Sequence, residues 1–232
     1  MLNTIKSYAK INLFLNVVDK LDTGFHELNS VLSRIDLYDE IRIKDESSFS
    51  ISYNGPFGDQ VGSNDHISKL FNYLIDKNYL KQKSFAIHVV KNIPVGSGLG
   101  GGSSNVAEII KYLIRSNLLD NSSSTEIARD LGSDIEFFID EGSALISGKG
   151  NVDQRLKINS DKHFLIVFPN VQNSTKEIFN KHSNLSGEKF SYNKDTNLDG
   201  ILKNTSNELE KTALLANQEM KKIREYLNND IN

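Results

Sequence analysis

The segment "NIPVGSGLGGGSSN", residues 92–105, carries five of the 15 glycines of the chain and three serines within its last ten positions. Upstream, apolar residues alternate over 85–89, which predicts a strand. Downstream, apolar residues recur at helical spacing over 107–114, and Ser103 or Ser104 stands where an N-cap belongs. The sequence therefore predicts a strand, a glycine loop and a helix in direct succession.

Such a loop is suited to anions, because glycine tolerates positive φ and lets backbone amides approach a ligand, while a helix N-terminus adds unpaired N–H groups. A flexible connector is the alternative. Gly96, Gly98 and Gly101 also satisfy the G-x-G-x-x-G pattern of dinucleotide folds, but Lys91 and Pro94 break the apolar strand that normally precedes it. The lysine of a P-loop is missing as well.

Composition narrows the classes of protein that remain. The 232 residues include 27 Lys and Arg against 30 Asp and Glu, a net charge of -3 without basic clusters, which disfavours nucleic-acid binding. The chain has no cysteine, which excludes disulfides, thiolate metal sites and cysteine nucleophiles. Its five histidines show no metal-binding spacing, and no segment has the length of a signal peptide core or membrane span. We expect a cytoplasmic protein that binds neither nucleic acid nor membranes, with unknown metal ligands.

Periodicity predicts the other elements. Alternation indicates strands over 7–18, 41–43 and 49–53, and a continuous apolar run, "HFLIVFP", predicts a buried strand over 163–169. Helical spacing or cap signals predict a helix capped by Ser63 or Asn64, one opened by Ser123 with Glu126, and further helices over 174–183 and 206–228. Residues 183–200 are rich in Asn, Ser, Lys and Gly and predict a long surface loop.

The glycine segment resembles the second motif of the GHMP small-molecule kinases, P-x-x-x-G-L-G-S/G-S-S/G. The matching residues are Pro94, Gly98, Leu99, Gly100, Gly101, Gly102, Ser103 and Ser104. Three further segments resemble the branch of this family that phosphorylates 4-diphosphocytidyl-2-C-methyl-D-erythritol; they are "SYAKINLFLNV" (7–17), "TGFHELNSVL" (23–32) and "LGSDIEFF" (131–138). The resemblance runs from about residue 7 to residue 183.

The resemblance implies an α/β fold of the α+β kind with two domains and an active site in the cleft between them. Residues 1–155 would form an N-terminal domain like domain 2 of ribosomal protein S5, and residues 156–232 a ferredoxin-like C-terminal domain. Members of the family carry a third glycine-rich motif in that second domain, whereas the last glycine here is Gly200. We therefore expect an incomplete C-terminal domain, with exposed apolar surface or a reduced sheet.

The resemblance also implies roles for individual residues. Asp134 would accept or orient the proton of the substrate hydroxyl, and Lys10 would keep Asp134 ionised and stabilise the attacking oxygen. From spacing alone, Asp134 is typical of an N-cap and Lys10 of a solvated strand residue. The motif glycines and serines would wrap the triphosphate of ATP, with Mg²⁺ bridging its β- and γ-phosphates. Lys91 would add positive charge there or be a solvated lysine at a strand end.

Asn105 is a candidate for contact with adenine, because Asp65 replaces the asparagine that the family places near the base. For the cytidine diphosphate end of the substrate, Phe25 and Phe179 would stack on the base and His26 would read it. Asn12 would touch the erythritol side of the substrate. Core packing is the alternative for both phenylalanines, and an ordinary turn residue is the alternative for His26.

Three other functions remain open from the sequence. One is another GHMP kinase, acting on homoserine or mevalonate, although "GFH" (24–26) and Phe179 favour the cytidyl substrate. Another is a nucleotide-binding protein without catalysis, which would lack the contribution of the third motif. The last is a nucleotide-dependent dehydrogenase, which rests only on the degenerate glycine pattern. The sequence does not indicate an oligomeric state.

Overall fold

The computed structural model describes residues 4–22, 24–62, 65–81, 84–158, 162–169, 171, 175–182, 185, 189–191, 197–202 and 206–230. Within these residues the chain forms strands β1 Thr4–Lys20, β2 His26–Asp45, β3 Ser50–Asn54, β4 Phe85–Val90, β5 Ser143–Gly148 and β6 Asn151–Leu156. The α-helices are α1 His66–Asp76, α2 Gly101–Arg115, α3 Ser124–Leu131, α4 Ser133–Ile139, α5 Thr175–Lys181, α6 Leu198–Leu202, α7 Glu210–Ala216 and α8 Gln218–Asp230. The strands pair in the order β3-β4-β2-β5-β6, and β1 pairs with β2.

The chain packs as two units, neither of which is contiguous in sequence. Unit 1 comprises Met1–Ile11, Arg34–Val95 and Leu99–Glu141, and unit 2 comprises Asn12–Ser33, Gly96–Gly98 and Gly142–Asn232. Strands β1 and β2 each contribute residues to both units. The domains predicted at 1–155 and 156–232 are contiguous segments, and this division stays a prediction.

Unit 1 has its core between strands and helices. Strand β4 lies parallel to β3 and antiparallel to the second half of β2, where Ile41 faces Val89. Helices α1 and α2 pack against each other, as do α2 and α4. The apolar positions recur every three or four residues, so each helix buries one stripe. The fully buried apolar residues are Ile67, Leu70, Phe71 and Leu74 of α1, and Val106, Ala107, Ile109, Ile110 and Leu113 of α2.

Unit 2 contains the first half of β2 antiparallel to β5, which in turn lies antiparallel to β6. The register of β5 and β6 shifts between Leu145 and Ile146. Strand β1 is tied to the segment that precedes α7, because Leu15 N donates to Ser206 O at 3.0 Å and Glu208 N donates to Leu15 O at 2.9 Å. This segment therefore depends on a pairing about 190 residues distant in sequence.

The predicted strands over 7–18, 49–53 and 85–89 are confirmed, as are the helix that follows the glycine loop and the helix over 174–183. Strand β2 is much longer than the predicted 41–43. Strands β5 and β6 were not predicted. Strand β6 carries polar residues at most of its positions and shows little alternation. The predicted helix over 206–228 is instead two helices, interrupted at Asn217, whose φ of -140° and ψ of 106° are extended.

Two helix caps differ from the prediction. The N-cap of α1 is Asp65, whose Oδ1 accepts from Ser68 N, whereas the proposed caps at 63 and 64 lie outside the described residues. Helix α2 begins at Gly101 with Gly100 as its cap, so Ser103 and Ser104 lie inside its first turn. Glycine occupies this cap because its φ of 74° is left-handed.

The strand predicted over 163–169 is wrong. These residues form no helix or strand, and Leu165 is 80% exposed. Phe164, Ile166 and Val167 are also exposed. An apolar run becomes a buried strand only where another segment offers hydrogen-bond partners, which the local pattern cannot reveal. No helix among the described residues combines the length and apolar character needed to traverse a bilayer.

Candidate active site

The glycine loop turns through three left-handed residues before α2 begins. Gly96, Gly98 and Gly100 have φ values of 71°, 76° and 74°. Gly100 has no side chain with which to cap the helix, so the first amides of α2 remain available to a ligand. The loop is joined to β1, because Lys10 N donates to Leu99 O at 2.9 Å. The loop therefore leads into an uncapped helix start, which is the backbone arrangement that the anion-binding prediction requires.

Gly100 and Gly101 pack so closely against side chains of unit 1 that a Cβ would not fit at either position. At Gly100 a Cβ would lie 2.9 Å from Phe138 Cε2 and 3.1 Å from Lys10 Cγ. At Gly101 it would lie 2.9 Å from Ile93 Cγ2. The loop backbone thus rests directly on the residues around it, which a bulkier residue would prevent.

Lys10 and Asp134 are brought together across 124 positions of sequence. Lys10 Nζ lies 3.4 Å from Asp134 Oδ2, and the side chains are 8% and 35% exposed. Lys10 projects from β1 beside the loop, while Asp134 is the second residue of α4, whose N-cap is Gly132. Asp134 is therefore not the N-cap that spacing alone suggested. The pair combines a buried cation with a carboxylate that remains accessible to a ligand.

Helix α4 is held at its C-terminal end by two basic side chains. Phe138 O accepts from Arg34 Nη2 at 2.7 Å and from Lys111 Nζ at 3.2 Å, and Arg34 also donates to Asp140 O. Basic groups satisfy carbonyls that a helix end leaves without intrahelical partners. Burial lowers the pKa of the Arg34 guanidinium, and nearby carboxylates including Glu108 oppose that effect. The helix that carries Asp134 is thus anchored at its C-terminal end.

Several residues predicted to contact ATP lie beneath the loop. Lys91, Ser104 and Asn105 are 3%, 1% and 3% exposed. The ammonium of Lys91 pairs with Asp39, and the hydroxyl of Ser104 accepts from Ser7 Oγ at 2.8 Å. These three residues therefore contact protein groups in the described structure.

The remaining loop candidates have less buried positions, except for Pro94 and Gly101. Ser103 is half-buried in the first turn of α2, as is Leu99 before it, whereas Pro94 is buried. The roles predicted for the loop residues stay predictions.

The start of α1 lies against the same loop. A Cβ at Gly102 would lie 2.7 Å from His66 Nδ1. Burial, with Lys69 and Lys91 as further causes, lowers the pKa of His66, against the opposing effect of Asp65. The carboxylate of Asp65 accepts from Ser68 N at 2.7 Å and from Ser68 Oγ at 2.8 Å. Asp65 thus caps the helix, and its neighbour His66 is the residue that faces the loop.

The predicted substrate residues belong to unit 2. Asn12 Nδ2 donates to Ser30 Oγ at 2.9 Å. The ring of His26 stacks on Phe179, with centroids 5.4 Å apart and planes at 28°. The pKa of His26 is lowered by burial, then by the charges of Lys20 and His182.

Phe25 is exposed rather than part of a core. Its ring is 60% exposed and lies beneath Lys149 Nζ at 4.9 Å from the centroid. An exposed aromatic ring beside a cation can take a planar ligand. Core packing, the alternative considered for both phenylalanines, therefore does not account for Phe25.

Comparisons with known proteins agree with this geometry. The family model described as "GHMP kinases N terminal domain" matches residues 65–145. The 4-diphosphocytidyl-2-C-methyl-D-erythritol kinase of Pelagibacter ubique (strain HTCC1062) is 37% identical over 229 residues, which are 97% of this chain and 81% of that protein. The kinase of the same name from Clostridium perfringens (strain 13 / Type A) is 31% identical over 95% of this chain and 80% of its own.

The chain belongs to the GHMP kinase family. A crystal structure of 4-(cytidine 5'-diphospho)-2C-methyl-D-erythritol kinase aligns with this GHMP kinase at a TM-score of 0.72 and 24% identity, covering 98% of this chain and 83% of that one. The crystal structure of the mevalonate kinase of Methanococcus jannaschii aligns at a TM-score of 0.52 and 16% identity, covering 97% of this chain and 80% of that one. These two likenesses confirm the predicted α/β GHMP kinase fold.

No group of three or more His, Asp or Glu side chains gathers as a metal site in the parts of this GHMP kinase that the structure describes. Sequence reasoning also missed three residues. Asp39 and His66 lie next to the loop, and Arg34 holds the helix that carries Asp134. Asp39 left a signal, since it shares the strand face of Ile41 and Ile43, where a carboxylate is out of place. The other two are recognisable only from the folded arrangement.

Proposed function

We propose that this chain is an ATP-dependent kinase that phosphorylates the 2-hydroxyl of 4-diphosphocytidyl-2-C-methyl-D-erythritol, a step of isoprenoid precursor biosynthesis. The observation that carries the proposal is the Lys10–Asp134 pair at 3.4 Å, with Lys10 hydrogen-bonded through its backbone to the glycine loop. This arrangement puts an acid-base pair beside a phosphate-binding loop. The names of the relatives supply the substrate.

The reaction joins the substrate hydroxyl oxygen to the γ-phosphorus of ATP and breaks the bond from that phosphorus to the oxygen bridging it to the β-phosphorus. ADP leaves with that oxygen, and the hydroxyl proton passes to Asp134. The ammonium of Lys10 favours the ionised carboxylate and stabilises negative charge on the attacking oxygen. Since Asp134 is 35% exposed, a substrate hydroxyl can reach its carboxylate.

The triphosphate binds to the amides at the start of α2, from Gly98 to Ser103. The tight contacts at Gly100, Gly101 and Gly102 support this assignment, because a Cβ at any of them would displace the loop backbone, and its amides, from the side chains on which it packs. A hydroxyl such as that of Ser103 supplements the amides. Nucleotide binding by this loop requires neither Ser104 nor Lys91 to leave its buried partners.

Magnesium fits this site as an ion held by the phosphates themselves. A divalent cation neutralises the charge of the β- and γ-phosphates and keeps several water ligands. Asp134 is the candidate protein carboxylate that lies beside the loop. We therefore propose that Mg²⁺ arrives with ATP rather than occupying a separate protein site.

The cytidine end of the substrate binds in unit 2. The stacked rings of His26 and Phe179 provide a planar platform for the base, and the exposed ring of Phe25 provides a second one. Burial lowers the pKa of His26, which favours the neutral ring, in which one nitrogen can accept while the other donates. Asn12, two residues after Lys10 on β1, is the candidate for the erythritol hydroxyls.

ADP release tests the proposal. We would supply ATP, Mg²⁺ and, in parallel, 4-diphosphocytidyl-2-C-methyl-D-erythritol, homoserine or mevalonate to the wild-type chain, to Asp134→Asn and to Asp153→Asn. Asp153 is an exposed carboxylate on β6 and provides the matched control. We expect turnover with the cytidyl compound alone, retained in Asp153→Asn and reduced by about 10² to 10⁴ in Asp134→Asn.

Turnover with homoserine or mevalonate instead would assign another GHMP kinase activity. If no compound supports turnover, equilibrium binding of a non-hydrolysable ATP analogue and of the cytidyl compound decides between the alternatives. Binding of both without turnover would indicate a catalytically incompetent form. Binding of neither by folded protein would refute the proposed site.

A further inference from the structure

We infer that Asp39 is a positioning residue of the phosphate site, since its buried carboxylate holds the two ends of the glycine loop and the cation beneath it. The inference rests on the proposed function, in which this loop binds the triphosphate of ATP. Asp39 lies in β2 and is 0% exposed. Its hydrogen bonds go to residues 91–93 and to Asn105, so Asp39 acts on the loop glycines through these residues.

Four donors converge on the carboxylate. Oδ1 accepts from the backbone amides of Asn92 and Ile93, each at 2.8 Å. Oδ2 accepts from the Lys91 ammonium and, at 3.0 Å, from Asn105 Nδ2. An ionised carboxylate has about four acceptor positions, so Asp39 is fully engaged and fixed in orientation. Buried charges are tolerated when they are paired and hydrogen-bonded in this way.

The donors come from both sides of the loop. Residues 91–93 directly follow β4 and precede the glycines, whereas Asn105 lies in the second turn of α2, after them. One carboxylate therefore sets the distance between the strand end and the helix start. The loop amides between these points can converge on a phosphate only if that distance is maintained.

The network also fixes a positive charge under the helix N-terminus. Lys91 Nζ lies 3.1 Å from the position that a Cβ would take at Gly101, and it faces Asn105 Oδ1 at 3.4 Å. Because Lys91 is 3% exposed and paired with Asp39, it supports the loop from beneath rather than by contact with a bound phosphate. Asp39 keeps this cation in place and makes its burial tolerable.

A second branch of the network reaches β1. Asn105 Nδ2 donates to Ser7 Oγ at 2.9 Å, and Ser7 Oγ donates to Ser104 Oγ at 2.8 Å. Ser7 precedes Lys10 by three residues on the same strand. The polar groups under the loop thus link the strand that carries Lys10 to the first turn of α2.

The test uses two variants, because removing a buried charge can impair folding. Asp39→Asn keeps the shape of the side chain but removes its charge. Asn105→Leu leaves the charge in place and cuts the link from Asp39 to α2, together with the hydrogen bonds of Asn105 to Ser7 and Lys91. Asp45→Asn is the matched control, since Asp45 lies on the same strand and is exposed. For each folded variant, verified by circular dichroism, we would measure the Kd of a non-hydrolysable ATP analogue and the KM of ATP and of the alcohol substrate.

We expect both variants to weaken analogue binding and raise the KM of ATP by roughly tenfold to a hundredfold. The KM of the alcohol substrate and the constants of Asp45→Asn should remain at wild-type values. Wild-type analogue binding by folded Asp39→Asn would overturn the inference, as would an equal rise in both KM values. If Asp39→Asn does not fold, Asn105→Leu decides by the same criteria. Failure of the wild-type chain to bind the analogue would instead refute the proposed function.

Discussion

The imidazole of His66 occupies the space into which a side chain at Gly102 would project, 2.7 Å from the position of its Cβ. Contacts this short force a shift of the ring or of the loop. We therefore expect Gly102→Ala to weaken binding of a non-hydrolysable ATP analogue by about tenfold, because the first turn of α2 must move. Titration calorimetry measures this change in Kd.

The double variant Gly102→Ala with His66→Ala should recover most of the lost affinity, since contacting residues are energetically coupled. Gly62→Ala is the control, because nothing lies within 4 Å of a Cβ at Gly62. Equal affinities of Gly102→Ala and the wild type would contradict the close packing of ring and loop.

His66 also makes stability depend on pH. Burial lowers its pKa in the folded chain below the ordinary value near 6.5, so the unfolded state binds the proton more readily. The contribution of neutral His66 to the free energy of unfolding is complete above about pH 6.5. It decreases as the pH falls below that value toward the pKa of the folded state. Urea denaturation between pH 7.5 and 5.5 should therefore give a decreasing free energy of unfolding.

We expect His66→Leu to flatten this decrease without abolishing it, because the pKa of His26 is lowered as well. His163→Gln removes an exposed imidazole and should retain the wild-type slope. A wild-type slope in His66→Leu would show that His66 does not titrate differently in the folded and unfolded states.

Arg34 stabilises the helix that carries Asp134 by donating to carbonyls at its C-terminal end. Arg34→Met should lower the free energy of unfolding by about 1 to 3 kcal/mol, because the carbonyls of Phe138 and Asp140 lose a charged donor. It should also lower kcat, since Asp134 is positioned by the same helix. Arg42→Met, a change at an exposed arginine of the same strand, should alter neither quantity. An unchanged melting temperature in Arg34→Met would refute the anchoring role.

Replacing Phe179 should change the KM of the cytidyl substrate and not that of ATP. Replacing it with leucine removes the ring that stacks on His26, and loss of base stacking costs about 1 to 3 kcal/mol. We therefore expect the KM of the cytidyl substrate to rise about tenfold. The KM of ATP should not change, and neither should the constants of Tyr226→Leu, a substitution at an exposed aromatic residue of α8. A rise confined to the KM of ATP would contradict the assignment.

Much of the molecule was predictable from the sequence because local rules govern it. The succession of strand, glycine loop and helix depends on periodicity and on the steric freedom of glycine, both of which are readable over about 30 residues. The motifs around Lys10, Gly98 and Asp134 indicated the GHMP kinase family, which the comparisons confirm. Local patterns also placed β1, β3, β4 and α2 correctly.

The wrong strand prediction has a physical cause, which is that pairing with a distant segment cannot be read from a local pattern. Residues 163–169 have the composition of a buried strand, yet they do not form one. A strand requires hydrogen-bond partners on a neighbouring segment as well as apolar side chains. The wrong cap prediction has a local cause. Ser103 and Ser104 are residue types typical of caps, but the left-handed turn at Gly100 starts the helix before them.

The sequence by itself determined the family, the position of the phosphate loop and the identity of the acid-base candidates. Only the tertiary structure decided that Lys91 and Asn105 are directed to Asp39 and that His66 faces Gly102. These contacts join residues 36, 52 and 66 positions apart, and a buried charge or ring takes its partner from whatever the fold brings within about 4 Å. Proximity of that kind is a property of the packed chain, not of any segment.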